Sequence, residues 1–583
     1  MAGRLIYDGE CEFCRRCIAR WRQIAGLGAI AVPFQAAASE YPQIPLEEFR
    51  GAVQYIDEYG RRSSGAEAIF NSIHHAPGYG WLARAYRTVP LFAPISDWIY
   101  HEVAGHRESA TWITRWLWGA SLQMPEYHAA VWIFRRLLAL VFLVAFVSFA
   151  VQARGLIGSQ GILPLSPYLD AVYAQLGGRA WLDAPTLFWW WRSDTALVTV
   201  CWAGAALAVL CALGIFQRLI FALLFVLYLS LVTAGQVFMG YQWDFLLLEC
   251  GFLAIFLTPA LPRVWLFHWL IFRLMFESGC VKLLSHDPTW ANLTALTYHY
   301  QTQPIPTPLA WYAIRAPLWF QKFSTASVFA VELCAPFLIF GTRRLKQIAA
   351  AAFTFLQLSI LLTGNYAYFN WLSIFLCVLL LDDRFWKWRP AAPRPTGWRA
   401  VTALLLAFVL LCGGTQIAEM FSRPSIGVGR RLLAFASPFG LINSYGLFAN
   451  MTTTRIEIEL QGSIDGEHWR TYDFRYKPGD PRRAPPWVAP HQPRLDWQMW
   501  FAALGTRQEN PWFSGFVYRL LTGSPEVLRL LNGNPFPGDR PKYIRALAYE
   551  YTFSDIHDRQ QRRVWWSREL KGSYFPRASL QNQ

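Results

Sequence analysis

Apolar stretches that are long enough to cross a bilayer recur through the middle of the chain. Between residues 131 and 417 they follow one another, and the two flanking regions contain none. A transmembrane helix needs about 20 predominantly apolar residues, because the hydrocarbon core is about 30 Å thick. The sequence therefore predicts a multidomain protein, with a polytopic α-helical membrane domain over 126–417 between soluble regions at 1–125 and 418–583.

The pattern of apolar stretches predicts nine membrane spans. The fourth and eighth are short, so a total of eight spans is the alternative. The predicted spans are 132–153, 196–215, 218–237, 243–258, 263–284, 325–341, 346–364, 366–381 and 399–417. Cytoplasmic loops carry an excess of Lys and Arg. Loops of one parity contain Arg218, Arg263, Arg343, Arg344, Lys346, Arg384, Lys387, Arg389, Arg394 and Arg399. This predicts a cytoplasmic N-terminus and a C-terminal domain on the outer side, which would be the periplasm for a protein of the bacterial inner membrane.

The basic balance of the chain favours a membrane partner over nucleic acid. Lys and Arg number 53 against 38 for Asp and Glu, giving a formal charge of +15. A nucleic-acid-binding protein concentrates such an excess on one compact module, whereas here it is spread over loops and both soluble regions. We therefore expect contact with anionic lipid headgroups and no nucleic-acid partner.

Cysteine usage separates the start of the chain from its end. Three of the ten cysteines, Cys11, Cys14 and Cys17, lie within the first 20 residues, and none follows Cys412. The C-terminal region therefore has no disulfide framework. We expect no cleaved signal peptide, because the first apolar run is followed directly by an acidic, cysteine-bearing turn.

A CxxC motif stands at the start of a predicted helix. A cysteine at a helix N-terminus lies at the positive end of the macrodipole, which favours the thiolate. The spacing brings Cys14 within reach of a mixed disulfide on Cys11, and the neighbouring Arg15 would further stabilise the anion. This pattern indicates thiol–disulfide exchange, with Cys11 attacking and Cys14 resolving. A zinc site that includes Cys17, or a structural pair, remains open; we predict no metal and no cofactor.

The octapeptide Tyr7-Asp8-Gly9-Glu10-Cys11-Glu12-Phe13-Cys14 resembles the opening of the DCC family of thiol-disulfide oxidoreductases. The family pattern continues at Gly65-Ala66-Glu67-Ala68-Ile69, Trp81, Tyr86, Pro90, Tyr100 and Arg107. The resemblance implies a thioredoxin-like α/β fold over 1–125, with further strands at 29–35 and 51–57 and with Asp8 and Arg15 supporting the redox pair. One departure is that no proline directly precedes the strand at 51–57.

Charged residues fall within or at the ends of predicted spans, where each costs about 2.5–3.5 kcal/mol on insertion scales. They include Asp244, Glu249, Arg273, Glu277, Lys282 and, in the sixth span, Glu332. Arg273 and Glu277 are four residues apart and are expected on one helix face. Two interpretations remain open, namely a buried ion-pair network that fixes helix packing and a pathway for a polar substrate or ion.

Several longer blocks resemble the lipase maturation factor family. They lie at 242–253, 277–304, 363–370, 443–448, 474–479 and 490–501. Families of this membrane architecture are distantly similar to the helical domain of vitamin K-dependent carboxylases. The resemblance implies a folding or assembly role for secreted lipases on the outer side of the membrane. The alternative is a membrane enzyme or redox relay that acts on a lipid or peptide.

The outward loop that follows Lys282 is rich in aromatic residues. Trp290, Tyr298, His299 and Tyr300 are predicted to contact a secreted client or lipid, or to anchor the loop in headgroups. Further on, alternating apolar residues predict strands at 455–460, 469–476, 544–553 and 563–566, with a helix at 497–504. We expect a β-sandwich-like C-terminal domain. His491, Arg494 and Asp496 suggest a catalytic set, but the absence of a nucleophile at a strained turn favours a structural cluster.

Overall fold

The computed structural model describes residues 3–26, 29–76, 78–388, 390, 399–422 and 427–580. The loop charges Arg389 and Arg394 lie outside these described residues. The chain divides into two compact units. The first comprises Met1–Glu126 with Phe340–Gln347, and the second comprises Tyr127–Ile339 with Ile348–Gln583.

The N-terminal unit is built on a four-stranded sheet of order β2-β1-β3-β4. Its strands are β1 (Gly3–Tyr7), β2 (Ala29–Pro33), β3 (Gln54–Ile56) and β4 (Arg62–Ser64). The central β1 pairs parallel with β2 and antiparallel with β3. This is the arrangement of a thioredoxin-like domain, as the sequence predicted. The helices of the unit are Glu12–Ala25, Phe34–Ala37, Leu46–Gly51, Gly65–Ser72, Gly80–Thr88, Phe92–Gly105 and Arg107–Trp118.

Strand β1 is buried on both faces because helices cover the sheet on each side. Leu5 packs on one face with Ile18 and Trp21 of the first helix. Ile6 packs on the other face with Phe34 and other residues that follow β2. A central strand whose residues Leu5 and Ile6 are buried on opposite faces fixes the start of the helix that follows it, which carries the CxxC motif.

Seven helices of the second unit and its borders are long and apolar enough to cross a membrane. They are His128–Ala150, Asp194–Ala212, Gln217–Ala234, Leu261–Leu284, Leu318–Phe340, Arg343–Thr363 and Arg399–Met420. At the two positions where short spans were predicted, the structure has the shorter helices Gln242–Phe256 and Phe369–Leu380. The fifth long helix contains a π-helical turn at Ala330–Cys334. These helices agree with the predicted polytopic membrane domain.

The connections between the membrane helices contain short helices. They are Ala153–Ile157, Leu165–Leu176, Ala180–Asp183, Pro288–Ala291, Ala295–Thr302, Pro308–Ala313 and Asp383–Trp386. The C-terminal region adds the helices Gly427–Ala436, Arg494–Ala503, Trp512–Leu521, Pro525–Leu528 and Ile556–Gln561.

The described C-terminal residues form one antiparallel sheet of order β6-β5-β7-β8, where the sequence predicted a sandwich-like domain. The strands are β5 (Arg455–Ser463), β6 (Arg470–Tyr472), β7 (Tyr543–Phe553) and β8 (Trp566–Ala578). Buried residues of β5 and β7, Leu460 and Ile544, share one apolar cluster with Trp497 and Phe516 of two helices. Helices therefore cover the apolar face of the sheet, a role that a second sheet would play in a sandwich.

Candidate functional site

The CxxC motif lies at the start of the 14-residue helix Glu12–Ala25. Cys11 is the N-cap residue, and its Sγ accepts a hydrogen bond from the backbone N–H of Cys14 at 3.4 Å. The preceding turn is held by Asp8, whose Oδ1 accepts from the backbone N–H of Glu10 and from Nε2 of Gln35, both at 3.0 Å. The Cys11 sulfur therefore lies at the positive end of the helix dipole, where a thiolate is stabilised.

The two side chains predicted to support the redox pair both bind the turn before it. Arg15 donates to the carbonyl oxygen of Gly9 at 3.4 Å. Asp8 also lies 3.6 Å from the guanidinium of Arg107. Arg107 was noted in the sequence only as part of a family pattern, and no local signal marked it as a site residue.

Arg107 and Tyr100 hold the loop where a thioredoxin-like domain usually has a proline. Arg107 donates to the carbonyl oxygens of Arg50 and Gly51 at 2.7 and 2.8 Å. The hydroxyl of Tyr100 accepts from the backbone N–H of Val53 at 2.8 Å. The loop before β3 is thus fixed by two side chains from helices that follow the sheet, and its position does not depend on a proline.

An apolar cavity of about 490 Å³ lies beside the motif within the N-terminal unit. The thiols of Cys14 and Cys17 line it together with aromatic side chains such as Trp21 and Phe70. Burial, with the hydrogen bond to Cys11 as the next cause, raises the pKa of Cys14 to about 12. Burial also raises the pKa of Cys17 to about 11. Both inner thiols are therefore protonated at neutral pH.

In the second unit, the predicted membrane charges are all buried and all have partners. Asp244, in the first turn of Gln242–Phe256, accepts two hydrogen bonds of 2.8 Å from the guanidinium of Arg494. The hydroxyls of Tyr228 and Tyr368 donate to the same carboxylate at 2.5 and 2.8 Å. A paired carboxylate with this many donors is compatible with complete burial.

A second cluster surrounds Glu249. Its carboxylate forms an ion pair with Arg273 on the neighbouring helix, and it accepts from the hydroxyl of Tyr445 at 2.8 Å. Glu277, four residues after Arg273, instead accepts the backbone N–H of Tyr445 at 2.8 Å. Arg273 also donates to the carbonyl oxygen of Asn443 at 3.0 Å. The membrane charges thus bind the segment that leads into the C-terminal region.

The fifth predicted charge, Lys282, pairs with a residue on another helix. Its Nζ donates to both carboxylate oxygens of Glu332, at 2.8 and 3.0 Å, and to the carbonyl oxygen of Ser278 at 2.9 Å. Glu332 lies in the π-helical turn. Such turns occur frequently at functional sites.

The four predicted contact residues differ in exposure. Tyr298 is 37% exposed, whereas Trp290 and His299 are only 4% and 9% exposed. Trp290 donates its indole N–H to the carbonyl oxygen of Phe448 at 2.9 Å. Burial raises the pKa of Tyr300 above its usual range. The aromatic loop therefore turns part of its surface inward, towards the C-terminal region, and leaves Tyr298 and Tyr312 accessible.

The residues considered as a catalytic set do not form one. His491 Nδ1 lies 2.9 Å from the Oγ of Ser148. The carboxylate of Asp496, however, accepts the backbone N–H groups of Tyr476 and Lys477 at 2.8 and 2.9 Å. Arg494 is engaged with Asp244. The cluster therefore joins the C-terminal region to the membrane helices, and its arrangement supports the structural interpretation.

Sequence reasoning missed several other residues that make this junction. Arg455 on β5 donates to the carbonyl oxygens of Gln301 and Pro304, both at 2.8 Å. Asn365 accepts the backbone N–H groups of Val488 and Ala489 at 2.7 and 3.0 Å. Arg455 and Asn365 are 1% and 2% exposed. The alternation of the strand puts Arg455 on the polar face with Glu457, so no pattern marked it as buried, and Asn365 was noted only within a block that resembles the family.

Three protein-family models match consecutive parts of the chain, and two of them describe domains of one family. Residues 129–388 match the lipase maturation factor transmembrane domain, and residues 441–576 match the lipase maturation factor C-terminal domain. Residues 5–113 match the DCC1-like thiol-disulfide oxidoreductase family.

Individual relatives carry the same family name. Lipase maturation factor 2 of Mus musculus is 36% identical over 597 residues, covering 79% of this chain and 84% of the relative. Lipase maturation factor 2 of Homo sapiens is 35% identical, with 76% and 81% covered. Lipase maturation factor 1 of Bos taurus is 36% identical, with 77% and 88% covered. No solved structure matches the chain.

Proposed function

The chain belongs to the lipase maturation factor family, and we propose that it is a membrane-embedded maturation factor for secreted lipase-like proteins. In this proposal the outer loops and the C-terminal region form one surface that binds a partly folded client. The N-terminal domain adds thiol–disulfide exchange. No covalent chemistry is assigned to the membrane helices.

The observation that carries this proposal is the buried junction between the C-terminal region and the membrane helices. Arg494 and Asp244 are 0% exposed and are joined by two hydrogen bonds. Arg455, in the same region, donates to carbonyl oxygens of the aromatic loop. A domain fixed in this way presents a surface of constant shape. In this proposal that surface binds the client, and the pairing of Asp244 with Arg494 leaves neither group free for catalysis.

We propose nine membrane crossings, so that the two short helices also cross. C-terminal residues contact four separate connections, as shown by the pairs Arg519–Gly161, Tyr241–Gln498, Phe448–Trp290 and Asn365–Val488. These connections lie on one side only if Gln242–Phe256 crosses, and the C-terminal region that contacts them lies on that same side only if Phe369–Leu380 crosses as well. The opposite ends of the helices meet in pairs such as His128–Asp383.

The orientation follows from this count and from loop charge. Placing the basic loops in the cytoplasm puts the N-terminal domain there and the C-terminal region outside, as in a bacterial inner membrane with the C-terminal region in the periplasm. Tyr298 and Tyr312, which are 37% and 59% exposed, would then face the client or the lipid headgroups.

For the N-terminal domain we propose that the Cys11 thiolate attacks a substrate disulfide and that Cys14 resolves the mixed disulfide. Asp8 and Arg15 act as positioning residues, because they hold the turn that sets the start of the helix. Because Cys14 is protonated, it is a poor nucleophile. The first attack on the substrate disulfide is therefore made by Cys11 and not by Cys14.

Photo-crosslinking from single positions of the full chain tests client binding. A crosslinking amino acid at Tyr312 or at Trp191, which is 65% exposed, is expected to capture a newly made secreted lipase. The matched control is Phe216, an aromatic residue 79% exposed at the opposite end of the helices. Capture at Phe216 but not at Tyr312 or Trp191 would overturn the proposed binding surface.

A further inference from the structure

A small cavity of about 90 Å³ lies within the second unit, close to the Lys282–Glu332 ion pair. Most of its wall is apolar, formed by Leu274, Met275, Leu296, Val328, Leu356 and Ile360. The polar side chains that line it include Lys282, Glu332, His299 and Tyr366. An apolar cavity with a few converging polar groups is typical of a site for a small molecule.

The hydrogen-bond geometry fixes the proton positions around His299. The amide Nε2 of Gln303 donates to the carbonyl oxygens of Tyr300 and Thr363, so its Oε1 is the remaining acceptor. Tyr366 donates its hydroxyl proton to that Oε1 at 2.9 Å. Because this proton is committed, the contact of 3.3 Å between Tyr366 and His299 requires a proton on Nε2 of His299.

The close approach of Gln303 depends on a glycine. A Cβ atom at Gly364 would lie 2.0 Å from Oε1 of Gln303, so any larger residue would displace the amide. Gly364, in the block at 363–370, is therefore small enough to permit the hydrogen bonds that connect Gln303, Tyr366 and His299.

The other ring nitrogen of His299 has no hydrogen-bond partner although it is buried. Burial, with the charge of Lys282 as the second cause, lowers the pKa of His299 to about 4, so the ring is neutral at pH 7. With Nε2 protonated, Nδ1 carries a lone pair. An unsatisfied buried acceptor is unfavourable, and a donor supplied by a ligand would satisfy it.

The ion pair beside His299 limits which ligand groups can donate a hydrogen bond to Nδ1 of His299. Lys282 uses its three ammonium protons on Ser278 and the two oxygens of Glu332. The carboxylate of Glu332 makes the cavity unfavourable for an anionic head such as a fatty acid or a phosphate. The surrounding apolar wall disfavours a strongly hydrated cation. A neutral hydroxyl meets both conditions.

We propose that this cavity binds the hydroxyl end of an apolar alcohol of the membrane-lipid type, whose O–H donates to Nδ1 of His299. Val328 and Leu356 belong to two helices that are mostly exposed, with 28% and 33% of their apolar windows buried. The volume admits only the hydroxyl and the first carbons, so the remaining chain extends towards the bilayer. The site does not depend on the proposed maturation role.

The probe for this site is a long-chain 1-alkanol that carries a photoreactive diazirine next to its hydroxyl, used with the full chain in lipid nanodiscs. Labelled peptides are identified by mass spectrometry. We expect labelling of peptides that contain Leu296 and Leu356, at a level about five- to tenfold above that of the methyl ether of the same probe, because the ether has no proton to donate. The fatty acid analogue should label no better than the ether.

Variants separate the hydroxyl contact from mere access to the cavity. His299→Phe is expected to lower alkanol labelling to the level of the ether, and His286→Asn, at an exposed residue, should not change it. Leu296→Trp fills the cavity and leaves His299 in place, so it should abolish labelling by both probes even if His299→Phe misfolds. Equal labelling by alkanol and ether, preferential labelling by the fatty acid, or no labelling of the cavity would overturn the proposal.

Discussion

Arg494 donates to both carboxylate oxygens of Asp244 at 2.8 Å, and neither side chain is exposed. The two residues are 250 positions apart, one in the first turn of the short helix Gln242–Phe256 and the other in the C-terminal region. Bidentate pairing of arginine with a carboxylate is among the stronger and more specific contacts in proteins. It explains why an acidic residue can be completely buried at this position.

Replacing Arg494 with methionine is expected to destabilise the second unit by about 3–5 kcal/mol, because it leaves the Asp244 carboxylate buried without its cation. Thermal unfolding of the full chain in detergent measures this. The control is Arg482→Met, at an exposed arginine of the same region. The double change Asp244→Asn with Arg494→Met should cost less than Arg494→Met alone, and an equal or larger cost would contradict the pairing.

Replacing Cys14 with serine is expected to trap Cys11 in a mixed disulfide, because no resolving thiol remains beside it. Cys11→Ser should form none. Cys17→Ser serves as the matched control and should leave resolution intact. Non-reducing electrophoresis after acid quenching, followed by mass spectrometry of the adduct, measures the outcome, and an adduct carried by Cys17 would refute the assigned roles.

Acid is expected to destabilise the second unit partly through His491. Burial, followed by the charges of Arg494 and Arg475, lowers its pKa from 6.5 to about 4. The unfolded chain therefore binds a proton below about pH 6.5 that the folded chain does not bind until about pH 4, so stability falls as pH decreases through this window. The shift corresponds to about 3 kcal/mol at most.

Unfolding midpoints measured between pH 7 and pH 4 test this linkage. His491→Gln should show a shallower fall with decreasing pH than the unmodified chain. His286→Asn, at an exposed histidine of the same unit, should follow the unmodified chain. An unchanged slope in His491→Gln would show that the histidine is already accessible to protons.

The nine-crossing arrangement makes opposite predictions from a seven-crossing one at two positions. With nine crossings, a reporter inserted at His286 is outside and one at Ala260 is inside. If the short helices Gln242–Phe256 and Phe369–Leu380 do not cross, these locations are reversed. Alkaline phosphatase inserted at each position of the full chain is expected to be active at His286 and inactive at Ala260.

The sequence predicted the elements that local pattern determines. Apolar length predicted the long membrane helices because the bilayer sets that length. The strand, turn and CxxC of the N-terminal domain were predicted because they are consecutive in the chain. The helix at Arg494–Ala503 and the strands β5 and β7 lie close to their predicted bounds, and β6 is shorter than predicted. The strand predicted at 563–566 was wrong in its bounds, because β8 begins at Trp566 and continues to Ala578.

Tertiary pairing was beyond the reach of local pattern. Arg273 is four residues from Glu277, yet its ion pair is with Glu249 on another helix. His299 was predicted on an aromatic surface, and its burial depends on Tyr366 and Phe448, which lie far along the chain. The helices that cover the C-terminal sheet likewise required knowledge of packing, so a sandwich was the simpler expectation.

The central claim is that this chain matures secreted lipases, and the most direct measurement is the specific activity of a secreted lipase. Cells that lack their own maturation factors would produce the lipase with and without the full chain, and activity would be divided by the mass of lipase secreted. The account predicts a several-fold higher specific activity with the chain present, and a loss of that gain in Arg494→Met. Equal specific activity with and without a correctly inserted chain would contradict it.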